Sequence, residues 1–114
     1  MDADLRTLQW HSVEQVFADL HVALGTPFPV AIMVQVRREE AIPDVRTELG
    51  RAELEIVSVD KRGWPFGRRW EIAARSRPQP IAREAVEQWL DGLEARLAKH
   101  DSTIATWAPL LPAA

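Results

Sequence analysis

Ala52-Glu-Leu-Glu-Ile-Val-Ser-Val-Asp60, then Lys61-Arg-Gly-Trp-Pro-Phe-Gly-Arg68, then Arg69-Trp-Glu-Ile-Ala-Ala-Arg-Ser-Arg77, is the stretch on which the fold turns. Its first part alternates in part: Leu54 and Ile56 point one way, Glu53 and Glu55 the other, and Val57 and Val59 add apolar character to the second face. Its third part alternates more clearly, with Trp70, Ile72 and Ala74 on one face and Arg69, Glu71, Arg75 and Arg77 on the other. A period of two is the mark of a strand with one buried face. Gly63 and Gly67 bracket Trp64, Pro65 and Phe66 between the two strands, so the stretch reads as a β-hairpin with its tip at Lys61–Arg68.

Outward from the hairpin, each flank supplies one helix and one strand. Upstream, Pro29 to Arg37 carries the unbroken apolar run Val30–Val34, rich in β-branched residues, and reads as a central strand covered on both faces. Between it and the hairpin, Ile42, Val45, Leu49 and Ala52 keep a helical period over Glu39–Ala52. Pro43 is tolerated there only in the first turn, and the helix is expected to end near Gly50. If that segment is a loop instead, the architecture becomes a three-stranded sheet between two long helices. Downstream, Pro78 and Pro80 break the second hairpin strand. A helix from Ile81 to His100 follows, with Ala82, Ala85, Val86, Trp89, Leu90, Leu93 and Leu97 as its stripe. Gly92 inside it suggests close packing, because glycine costs about 1 kcal/mol against alanine there. Ser102–Leu111 reads as a closing strand.

A further helix leads the chain. Leu5, Leu8, Val13, Val16, Phe17, Leu20 and Leu24 recur at helical spacing over Asp4–Leu24, and Gly25 supplies the stop. The whole is therefore an α+β fold: an N-terminal helix followed by a ferredoxin-like β-α-β-β-α-β antiparallel sheet, with helices on one face. The other face is left for the leading helix or a second copy to cover. The 114 residues fit a single domain spanning 1–114.

Composition narrows the function. The chain contains no cysteine, which removes disulfides and thiolate metal sites. The acidic start, Met-Asp-Ala-Asp-Leu-Arg, lacks the pattern of a signal peptide, and no apolar run reaches a membrane span. A cytoplasmic protein with no membrane partner is expected. Net charge is −3, yet Lys61–Arg77 holds six basic residues against one acid, a local +5.

Chemistry-bearing constellations are few. His11, His21 and His100 do not stand at metal-ligand spacing, and no phosphate loop, Gly-x-Ser-x-Gly or His-Glu-x-x-His pattern occurs. No metal, cofactor or catalytic residue is expected. Glu53 and Glu55 share a strand face and read as solvated, as do Asp91 and Glu94 on the last helix. An enzyme without a local motif stays open as an alternative.

The hairpin tip is the candidate site. Large aromatics at a tip either fold back as a lid or meet a partner. In the second reading Trp64 and Phe66 are apolar anchors, and Arg62, Arg68 and Arg69 supply charge to an acidic protein surface. Arg62-Gly-Trp-Pro-Phe66 also partly echoes the aromatic core of the RNA-recognition motif, so single-stranded nucleic acid is the alternative partner. Pro65 and the register of the match depart from that motif.

Gly63-Trp64, Arg69-Trp-Glu-Ile-Ala-Ala74, the proline-led helix and Ile104-Ala-Thr-Trp107 carry a resemblance over about half the chain. In these features the C-terminal half resembles the regulator of ribonuclease E activity B family, which is ferredoxin-like. The family's Tyr-Asp-Gly-Trp-like ending is matched only at Trp107, and its members lack the Arg-rich loop. The resemblance implies a non-catalytic, protein-binding regulator. Homodimerisation through an exposed sheet face is a further expectation.

Overall fold

The computed structural model describes residues 3–62 and 69–112, Arg62 by its backbone alone. The chain runs α1 (Ala3–Asp19), β1 (Pro27–Phe28), β2 (Val30–Val36), a single 3-10 turn (Glu39–Ala41), α2 (Ile42–Arg51), β3 (Glu55–Arg62), β4 (Arg69–Arg75), β5 (Gln79–Pro80), α3 (Arg83–Ala98) and β6 (Ser102–Pro109). The main sheet has four strands in the order β3-β4-β2-β6, and every neighbouring pair is antiparallel. β2 and β3 are thus parallel with β4 inserted between them. A second, two-stranded ribbon pairs β1 with β5, which the two short proline-containing segments did not announce.

Segment 39–52 is helical after a 3-10 entry, and Pro43 sits in the first turn where its missing N–H costs nothing. Val45 and Leu49 of α2 are buried, as are Val86, Leu90, Leu93 and Leu97 of α3. Beneath them β2 alternates, with Val30, Ile32, Val34 and Val36 buried and Ala31, Met33 and Gln35 half-buried. β2 is therefore covered on one face, not two: its apolar run continues through Ala31 and Met33, which face the uncovered side.

Both edge strands carry a bulge that re-aims their side chains. Ile56 pairs with Ala74 and Val59 with Ile72, so residues three apart share the covered face, and Val57 is left 61% exposed. This corrects the expectation that Val59 lies with Val57 on the second face: the bulge turns Val59 to the covered one. β6 does the same: Ile104 pairs with Val34 and Trp107 with Ile32, across a register shift at Met33/Val34. Without that extra residue Trp107 would face away from the core.

α1 departs most from expectation. It ends at Asp19 rather than near Leu24, and the turn comes at His21 (φ 55), with Val22 N–H bonding the Phe17 carbonyl at 2.9 Å. Its buried residues are Trp10, Val13 and Phe17, whereas Leu5, Leu8, Val16 and Leu20 are exposed. Nor does α1 cover the open face. Trp10 stacks on Trp107, Phe17 meets Phe28 edge-on, and Arg6 is ion-paired with Asp91 of α3. All three helices lie on one face of the sheet.

One glycine expectation also changes. A Cβ added at Gly92 would meet nothing within 4 Å, so this glycine permits no close approach. α2 ends at Arg51, next to Gly50 as expected, and the left-handed residue of the exit is Glu53 (φ 62), with the N–H of Leu54 closing back on the Leu49 carbonyl at 2.9 Å.

Candidate functional site: the β3–β4 hairpin

β3 and β4 pair in register from Glu55↔Arg75 to Arg62↔Arg69. β2 follows β4 only as far as Val36↔Trp70. The Arg62↔Arg69 rung therefore lies one step beyond the third strand, and the hairpin leaves the sheet at Trp70. Of the expected contact residues, Arg62 closes β3 and Arg69 opens β4; Trp64, Phe66 and Arg68 lie outside the described residues.

The base of the arm is built from charge and one ring. Trp70 is half-buried and packs on the core, on the same face as Ile72 and Ala74. The Lys61 ammonium sits 5.5 Å from the centroid of its ring, within the range of a cation–π contact. Arg69 is about half exposed and approaches Glu71 at 4.0 Å. On the uncovered face the Arg62/Arg69 rung is followed by the Asp60/Glu71 rung, and Lys61 opposite Trp70 lies between them on the helix face. Like charges on one rung repel, and the basic and acidic rows stand next to each other on that face, with Arg69 within 4.0 Å of Glu71.

The uncovered sheet face continues from this base. It presents Ser58, Asp60, Glu71, Ala73, Ala31 and Met33, and among the described residues no aromatic ring lies on it. Trp70 and Trp107 both point to the helix side.

Elsewhere several polar groups are committed to structure. Glu55 pairs with Arg75 at 3.0 Å, while Glu53 precedes the strand, so the two glutamates do not form a shared carboxylate face. Together with Gly50, Leu54, Ser76 and Arg77 they line an open cleft of about 400 Å³ at the opposite end of the sheet from the hairpin. The Ser76 hydroxyl accepts from the Val30 N–H at 2.9 Å and donates to the Arg77 carbonyl at 2.8 Å, which ties strand ends together. Glu94 is not a solvated residue of the outer helix face. Its carboxylate accepts the Ile104 N–H at 2.9 Å and the Thr103 hydroxyl at 3.2 Å, which binds α3 to an edge strand. Among the described residues no group of His, Asp and Glu is placed to hold a metal, and no helix is long and apolar enough to cross a membrane.

No protein-family model matches the chain, and no curated protein matches it.

Proposed function

We propose that this chain is a protein-binding module on a ferredoxin-like frame, docking through the β3–β4 hairpin. The strand order β3-β4-β2-β6, with a helix in each crossover, supports the frame. The observation that carries the docking site is the Arg62↔Arg69 rung beyond the end of β2. An arm that outruns its sheet loses intramolecular neighbours on one side, and its arginines, of which Arg69 also approaches Glu71 at 4.0 Å, give it a basic end suited to acidic groups of a partner. Lys61 on Trp70 stiffens the base of that arm. The resemblance of the C-terminal half to a family of protein-binding regulators points the same way.

Capture from the native host tests this, comparing wild type with two variants, Trp64→Ala/Phe66→Ala and Arg62→Glu/Arg69→Glu. The expected result is one protein species retained by wild type and lost by both variants, with thermal midpoints within about 4 °C of wild type. A drop well beyond that in the aromatic variant identifies a folded-back lid and overturns the docking reading. Retention of RNA or DNA in place of protein, with affinity falling steeply with salt, supports the nucleic-acid alternative.

A further inference from the structure

Trp107 and Gln9 each hold a buried polar atom that the chain itself does not pair, and the two atoms are of opposite sense. The indole Nε1–H of Trp107 is a donor and the side-chain Oε1 of Gln9 is an acceptor; both are shut off from water, and neither has a hydrogen-bond partner. Trp107 is 5% exposed and Gln9 is half-buried. Buried polar groups are nearly always paired, because giving up water without gaining a partner costs free energy. A buried tryptophan in particular finds an acceptor for its N–H. A donor and an acceptor left over in one place suit a group that itself accepts and donates.

The place is a groove of about 200 Å³ between α1 and the end of β6, which both residues line. Val13 and Val16 wall it on the helix side, and Pro109 and Leu111 on the other. The stack of Trp107 on Trp10 fixes the plane of the indole, so its N–H holds one direction. Gln9 is the movable member, because its longer side chain rotates about several bonds, and its turning opens the way to both atoms. Among the described residues no ionisable group lines the groove, so a charged head would lose its hydration without a counter-charge. An apolar cavity of about 150 Å³ takes a benzene-sized guest, so this groove suits a single ring with a small head.

We propose that the α1–β6 groove binds a small neutral molecule with a ring-sized apolar body and an amide or hydroxyl head. The head accepts from Trp107 Nε1 and donates to Gln9 Oε1, while the body rests on Val13, Val16, Pro109 and Leu111. Pro109 stands opposite Val30, whereas the hairpin leaves the sheet past Val36. The groove and the hairpin are thus at opposite ends of the sheet, and binding at one leaves the other free.

NMR titration of the whole chain tests this with benzamide, with toluene (the body without the head) and with benzoate (a charged head). Benzamide should shift the Trp107 indole N–H signal saturably, with a Kd of about 1 mM or below, while the Trp70 indole at the other end of the sheet stays still. Toluene and benzoate should each bind at least about tenfold more weakly. Gln9→Leu removes the acceptor and keeps the bulk, so it should weaken benzamide by at least about fivefold and leave toluene no weaker. A Trp107 signal that has not moved by about 10 mM benzamide overturns the proposal. So does toluene binding as tightly as benzamide, which makes the groove a plain apolar slot, or a Gln9→Leu chain that binds benzamide as wild type does. A long-lived water that contacts the Trp107 N–H in nuclear Overhauser spectra and stays under excess benzamide also overturns it, because solvent then satisfies the pair.

Discussion

Trp10 and Trp107 stack with ring centroids 6.0 Å apart and planes inclined by 27°, and this pair docks α1 onto the edge of the sheet. Trp10 is 3% exposed and Trp107 5%. Trp107 stands opposite Ile32 on the neighbouring strand, and Trp10 covers the Trp107 ring from the helix side. Trp10→Ala should therefore cost about 3–5 kcal/mol, in the range of large aromatic truncations. Leu8→Ala on the same helix should change stability by no more than about 0.5 kcal/mol, because that side chain is already in water. Urea unfolding of the two variants checks the contrast, and equal losses would place the wrong face of α1 in the core.

Glu94 is the second tie between the helical layer and an edge strand. Its carboxylate takes the Ile104 N–H and the Thr103 hydroxyl, both part-buried. Glu94→Ala should cost about 1.5–3 kcal/mol, the range for hydrogen bonds to a charged group. Glu94→Gln, which keeps one acceptor oxygen, should lose less. Amide exchange read at Ile104 should accelerate more in the alanine variant than in the glutamine one.

Gly92 lies exposed in the middle of α3, with open space where a Cβ would stand. Gly92→Ala should raise stability by about 0.5–1 kcal/mol through backbone entropy and helix propensity. A thermal midpoint that falls instead would show that a neighbour closes on the helix there.

Glu53 holds φ 62 at the end of α2, a conformation that favours glycine. Glu53→Gly should stabilise the protein by up to about 1 kcal/mol, since relief of the left-handed strain outweighs the added freedom of the unfolded chain. Glu53→Val should destabilise it, because a β-branched residue is worse still at positive φ. The two variants should move the denaturation midpoint in opposite directions.

Most elements were readable because their signals are local. The alternation of Trp70, Ile72 and Ala74 located β4, and the apolar run Val30–Val34 located β2. Leu90, Leu93 and Leu97 located α3, and Pro43 was correctly tolerated at a helix start. The hairpin and Arg69 at the start of β4 were readable for the same reason: two alternating runs around a glycine-bracketed loop leave few other arrangements, although Arg62, expected in the loop, is the last residue of β3. Glu94 gave no such signal. A glutamate on a helix looks solvated until the edge strand that needs its oxygens is in place.

By itself, the order of periods along this chain determined an α+β protein with a hairpin at its centre, since side-chain period depends only on local backbone geometry. What only the tertiary structure decided was which surfaces meet. α1 carries apolar residues on two adjacent faces, and nothing local ranks Leu5, Leu8 and Val16 below Trp10, Val13 and Phe17. The choice falls to the second set because Trp107 and Phe28 wait on the sheet to receive its aromatics. Trp107 in turn faces the core only because β6 gains a residue at its bulge. A bulge is a property of two strands in register, so a single strand's sequence does not contain it.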